Sequence, residues 1–226
     1  MVIENMRCHM AQPLKNIAGK KKSTFAARII SDLANPLILP PLVLWIIGNT
    51  VHLSNYMILL LLVSTIVFFS LLPGAVAIVV SLHHPNRSLD FPDRETRIPF
   101  YEISMLSIGT GSIFIFGLFD NPIIRLITLI FVVALLSGFI INLSWKISFH
   151  ATALATSGCC LLFVGSINTA GNLSLITGSV LLSILLPLVI WARYRLKIHS
   201  IPELLGGSIM GFVLTVLVFV MWNLAE

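Results

Sequence analysis

Residues 122–144 read PIIRLITLIFVVALLSGFIINLS, an apolar run interrupted by a single charge, Arg125. A helix of about 20 such residues is long enough to cross the hydrocarbon core of a bilayer. Backbone groups in lipid must be satisfied within the segment, so the run reads as a helix. Six further apolar segments lie around it, at 36–52, 57–82, 102–119, 151–168, 173–192 and 204–223. The sequence thus predicts an all-α fold, a polytopic membrane bundle of six to seven transmembrane helices. The segment 36–52 is the least regular, because Pro36, Pro40 and Pro41 kink or delay a helix. Ahead of it, 25–35 (FAARIISDLAN) has apolar residues at helical spacing and is expected on the membrane surface. Two regions follow: a basic amphipathic N-terminal segment, 1–35, and a membrane domain, 36–226.

Composition agrees with this. The 226-residue chain is 57% hydrophobic and only 10% charged, with a mean hydropathy of +1.00. Soluble domains carry about 25% charged residues. These values exclude a soluble enzyme and a disordered chain alike. The three cysteines, Cys8, Cys159 and Cys160, have no metal-ligand spacing, and the last two read as small buried hydrophobes. Gly109 and Gly111 read as sites of close helix packing.

Charge sets an orientation. Arg7, Lys15, Lys20, Lys21, Lys22 and Arg28 crowd the N-terminus, and no early apolar run makes it a cleaved signal peptide. The lysine run is short and lacks interleaved aromatics, so nucleic acid is not an expected partner. Of the connections between segments, 83–101, 145–150 and 193–203 are basic, whereas Arg125 alone lies near the opposite face. The positive-inside rule puts the basic connections and the N-terminus in the cytoplasm. Two segments separate the first basic connection from the second, and two more separate the second from the third. An even number of crossings puts all three on one face, where they can form one site.

The third connection, with its flanks, reads WARYRLKIHSIPELLGG over 191–207. Arg193 is followed after five residues by His199, and His199 after three more by Glu203. The second reads WKISFHATA over 145–153, with Lys146, Ser148 and His150. The first contains LDFPDRETRIPF over 89–100, with Arg94, Arg97 and Pro99. Together these resemble the type 2 phosphatidic acid phosphatase superfamily, which includes bacterial acid phosphatases and vanadium haloperoxidases. Its third motif, S-R-x5-H-x3-D, is matched in spacing by Ala192-Arg193-x5-His199-x3-Glu203. Its second, P-S-G-H, keeps Ser148 and His150. Its first, K-x6-R-P, is echoed at Arg87-x6-Arg94 and at Arg97-Ile98-Pro99. The resemblance covers mainly 145–223 and is that of a divergent membrane branch.

The resemblance implies a phosphatase without metal or other cofactor. His199 would attack phosphorus, Glu203 would orient it, and His150 would protonate the leaving oxygen. Arg193, Arg94, Arg97, Ser148 and Lys146 would hold the phosphate. The implied substrate is a lipid phosphate or diphosphate: a polyprenyl or isoprenyl diphosphate, phosphatidate or phosphatidylglycerol phosphate. Membrane lipids are the other expected partner, and the active site is expected on the cytoplasmic face.

Plainer roles compete for the same residues. Ser200-Ile201-Pro202-Glu203 is also a helix capping box, and Ser148 is placed to cap the helix that follows it. Arg195 and Lys197 read as interfacial anchors. Two other functions stay open. One is a Mg²⁺-dependent intramembrane prenyltransferase using Asp90–Arg97, although no second acidic cluster accompanies it. The other is a non-catalytic protein that binds or transports lipid phosphates.

Overall fold

The computed structural model describes residues 24–83, 97–168 and 172–225. It is a bundle of eight helices, with no strand among the described residues. A short helix α1 spans 24–33, and α2 spans Leu39–Thr50. Then come α3 (Asn55–Leu82), α4 (Ile98–Leu118), α5 (Pro122–Asn142), α6 (Phe149–Ile167), α7 (Asn172–Arg195) and α8 (Ile201–Leu224). These last six are long and apolar enough to cross a membrane, and they mark the chain as a helical membrane protein.

Local sequence explains several ends. The Asn121 side chain caps α5, accepting from the backbone N–H groups of Ile123 at 3.0 Å and Ile124 at 3.1 Å, while Pro122 occupies the first turn. Ser54 caps α3 through Met57 N–H. Both helices that carry an internal proline widen just ahead of it. A π-helical turn at Ile66–Leu71 precedes Pro73, and another at Leu181–Leu185 precedes Pro187. A proline ring removes one N–H from the ladder, and a π turn is one way for the helix to absorb that loss. Beside the first, the Phe68 carbonyl accepts from Ser107 Oγ at 2.7 Å.

The bundle is organised around α6, in which every residue from Ala151 to Leu161 is buried. Its small side chains let neighbours approach closely. A Cβ at Gly207 of α8 would stand 2.5 Å from the Ser148 carbonyl oxygen, and one at Gly211 would stand 2.5 Å from that of Thr152. On the other flank, a Cβ at Gly178 of α7 would lie 2.9 Å from the Gly158 carbonyl oxygen. Thr152 Oγ1 crosses to the Gly207 carbonyl at 3.0 Å. These contacts follow the small-residue logic of membrane helix packing. Cys159 and Cys160 are buried in this helix. Of the two glycines singled out on α4, Gly111 packs against Phe68, whereas Gly109 faces open space.

The irregular segment 36–52 resolves into α2, whose 12 residues rise only about 18 Å against a bilayer core of about 30 Å. It is nonetheless mostly buried. Leu37, just before it, lines the same cavity as Arg97 and His199. At its other end Thr50 Oγ1 is 2.7 Å from Ser174 Oγ, at the start of α7. The segment therefore runs from the level of the motif-bearing helix ends toward the opposite ends. The helix α1 is amphipathic in an unexpected sense. Small residues, Ala27 and Ser31 with Ala34 just beyond it, form its buried face, while Phe25, Ile29 and Leu33 are exposed.

Candidate active site

Three helix mouths meet at one cavity of about 260 Å³. Arg97 comes from the start of α4, His150 from the first turn of α6, Arg193 from the last turn of α7, and His199 from the α7–α8 connection. The convergence anticipated from the even number of crossings is thus realised in the fold. Arg97, Arg193 and His199 are each no more than 6% exposed, so the charges are withdrawn from solvent. Leu37, Gly74, Ala77, Ile78 and Phe100 line the apolar part of the cavity. Ile78 is also exposed on the outer surface of α3.

The α7–α8 connection fixes His199. The α7 helix ends in a Schellman motif: Ile198 N–H bonds the Arg193 carbonyl at 3.2 Å and Lys197 N–H bonds that of Tyr194 at 3.0 Å. Lys197 occupies the left-handed position of that motif, with φ of 57°. His199 follows at once, with Nδ1 2.7 Å from Glu203 Oε2. The same carboxylate oxygen accepts the Ser200 N–H at 3.3 Å. The capping and histidine-orienting roles weighed for Glu203 are therefore both served by one atom. Ser148 N–H bonds the Glu203 carbonyl at 3.0 Å, which ties the second motif to the third.

Burial and the charges of Arg97, Arg193 and Lys146 push the His199 pKa down to about 2. The ring is neutral at pH 7, with the Nδ1 proton directed to Glu203. Nε2 then carries the lone pair, the state a nucleophilic histidine needs.

The guanidinium groups are held by named partners. Arg97 Nη1 donates to the Ile147 carbonyl at 3.2 Å. Arg193 Nη1 donates to Ser31 Oγ at 3.1 Å, so α1 reaches into the site. Asn35, just beyond α1, also lines the cavity. Sequence reasoning placed 25–35 on the membrane surface and missed both Ser31 and Asn35. The available signal was the i, i+4, i+7 spacing of the small residues Ala27, Ser31 and Ala34, which marks a face that others can approach closely.

The remaining sequence candidates fall as follows. Ser148 Oγ is fully buried and has no hydrogen-bond partner among the described residues, and it makes no cap to α6, contrary to the capping role considered for it. Lys146 stands away from the main cavity. Its Nζ donates to the Ile198 carbonyl at 3.0 Å, and it lines a second cavity that shares His199 with the first. Arg94, with Arg87 and Asp90, lies outside the described residues. Among the described residues, no three His, Cys, Asp or Glu side chains gather closely enough to hold a metal ion.

No protein-family model, no curated protein and no solved structure matches the chain. Its functional reading rests on its own geometry.

Proposed function

We propose that this protein is a membrane phosphatase that hydrolyses a lipid phosphate or diphosphate through a phosphohistidine on His199. One observation carries the reading. Two buried arginines and two histidines line a single cavity, and one of the histidines is paired through Nδ1 to a carboxylate 2.7 Å away. The residue types and spacings are also those by which the chain resembles the type 2 phosphatidic acid phosphatases.

In this scheme Arg97 and Arg193 bind the equatorial phosphate oxygens and stabilise their charge in the transition state. His199 Nε2 attacks phosphorus, and the bond from phosphorus to the leaving oxygen breaks. His150 gives its proton to that oxygen. The arriving phosphate supplies the negative charge that lets His150 hold a proton between two guanidinium groups. The phosphorylated ring keeps its Nδ1 proton, and Glu203 balances the positive charge that develops there. Water then attacks the phosphohistidine, His150 takes a proton from it, and inorganic phosphate leaves with His199 restored. The apolar wall of the cavity, bordered by the lipid-exposed Ile78, suits a substrate whose tail stays in the bilayer. The basic helix mouths favour the cytoplasmic face for this chemistry.

The test is phosphate release in detergent from a panel of lipid phosphates and diphosphates, with EDTA present, for the wild type and His199→Ala. Release that survives EDTA and disappears in the variant is expected. Release abolished by EDTA would favour metal-dependent chemistry on the Asp90–Arg97 stretch. A folded protein that binds these lipids and releases nothing would be a non-catalytic carrier.

A further inference from the structure

One wall of the main cavity takes no part in the chemistry above. It is a single turn of α3, formed by Gly74, Ala77 and Ile78. On the same stretch Leu71, Leu72 and Val79 are exposed on the outside of the bundle. Small residues in membrane helices commonly admit a neighbouring backbone, as Gly207 and Gly211 do here. Gly74 does not. Among the described residues, a Cβ there would meet only Leu37 Cδ1, at 3.5 Å, which is an ordinary contact. The missing side chain makes room in the cavity instead of bringing two helices together.

The bundle also parts at this wall. Up to Thr65, α3 packs on α2; from Leu72 onward, past the π turn, its main neighbour is α4. Leu37, in the link between α1 and α2, reaches across to this turn. Its backbone is pinned on both sides: Asn35 Oδ1 accepts the Leu37 N–H at 2.9 Å, and the Leu37 carbonyl accepts from Ser70 Oγ. Beyond Leu37 the cavity reaches Ile78, which is 54% exposed. The buried arginines and the outer surface of α3 thus border one space.

A lipid tail needs such an exit. The neighbouring inner cavity, bounded by Phe69, Ser104, Phe131 and Leu135, measures only about 30 Å³. That is room for about two waters, and not for a chain of many methylenes. The exit itself is narrow. From Gly74 to Ile78 the helix rises about 6 Å, and Leu37 bounds the Gly74 end. Apolar atoms in contact stand about 4 Å apart. One chain fits across this wall, whereas two abreast, needing about 8 Å, do not.

We infer that the substrate is a lipid phosphate with a single hydrocarbon chain, which leaves the cavity for the bilayer over Gly74 and Ala77. The choice of substrate rests on the phosphatase reading; the path of the chain does not.

The experiment compares three phosphomonoesters in mixed detergent micelles: 1-acyl lysophosphatidate, diacyl phosphatidate and the tail-less glycerol 3-phosphate. The full chain is used as wild type, Gly74→Ala and Gly74→Leu. Lysophosphatidate should exceed phosphatidate in kcat/KM by about tenfold or more, the scale on which an apolar pocket discriminates. Gly74→Leu should cost lysophosphatidate about tenfold and leave glycerol 3-phosphate within about twofold. Gly74→Ala adds one methyl in ordinary contact, so its melting temperature should equal or exceed that of the wild type. Equal turnover of the one-chain and two-chain lipids overturns the proposal. So does a well-folded Gly74→Leu variant that slows all three substrates alike. A second arm follows the chain without hydrolysis. Lysophosphatidate carrying a diazirine near the start of its chain is photolysed on the wild type in nanodiscs. Label on residues 74–78 is expected. Label on Ser104, Phe131 or Leu135 would put the chain in the inner cavity and overturn the path. Label on 74–78 with no phosphate released from any lipid would sink the phosphatase reading and leave the path standing.

Discussion

Replacing Glu203 with Gln isolates the orientation of His199. The carboxylate oxygen lies 2.7 Å from Nδ1, within the range of a charge-assisted hydrogen bond. Such bonds contribute about 1.5–3 kcal/mol, equivalent to roughly 10-fold to 150-fold in rate if the interaction is needed at the transition state. Gln also introduces an N–H donor. Directed at Nδ1, it favours the tautomer with the proton on Nε2 and removes the attacking lone pair. The loss should therefore fall on kcat, by about 100-fold, with KM little changed. The same oxygen serves both Nδ1 and the Ser200 N–H, so an amide nitrogen in its place gives up the cap, and stability should fall by about 1 kcal/mol. Steady-state phosphate release in detergent, with a melting curve for each sample, measures both. A Glu203→Gln enzyme within threefold of wild-type kcat would refute the orienting role and leave Glu203 as a helix cap only.

Other perturbations bear on different parts of the site. Ser31→Ala removes one partner of Arg193 Nη1 and should raise KM about fivefold with kcat within a factor of two, consistent with a loss of about 1 kcal/mol in positioning. The His199 ring, held at about 2, stays neutral as pH falls from 8 to 5. After correction for substrate ionisation, kcat/KM should show no loss toward pH 5 from protonation of His199, whereas an unperturbed imidazole nucleophile near 6.5 would lose about 30-fold by pH 5. Lys146→Gln removes one of the charges acting on that ring, so the His199 titration followed by NMR should move upward. Gly207→Ala drives a Cβ to within 2.5 Å of the Ser148 carbonyl oxygen and should destabilise the protein by about 1–3 kcal/mol. Gly206→Ala first meets the movable ring of Trp145 and should be milder; paired thermal melts compare the two.

Much of the architecture was readable from hydropathy because lipid leaves few alternatives. Six of the seven apolar segments are helices of spanning length, with ends shifted by a few residues where caps and prolines intervene. Hydropathy overstates 36–52, because it is blind to a helix that is mostly buried by protein and begins only at Leu39. The two π turns were not legible, since a proline fixes the lost N–H but not the manner in which the helix accommodates it. Within the site, charge and spacing identified Arg193, His199 and His150, because ionisable groups at helix mouths are conspicuous in an apolar chain. Ser31 and Asn35 were not conspicuous. Polar residues on an amphipathic segment look like a solvated face until tertiary packing turns that face inward. Lys146 illustrates the converse: its charge grouped it with the others in sequence, but sequence does not show which cavity a side chain will line.

The central claim is a covalent bond between His199 and phosphorus. Rapid acid-free quenching of a single turnover with lipid substrate labelled at the terminal phosphate tests it directly. The account predicts a labelled protein that is stable to base, labile to acid, and absent in His199→Ala. Wild-type hydrolysis that proceeds at full rate with no label at any time point would contradict it.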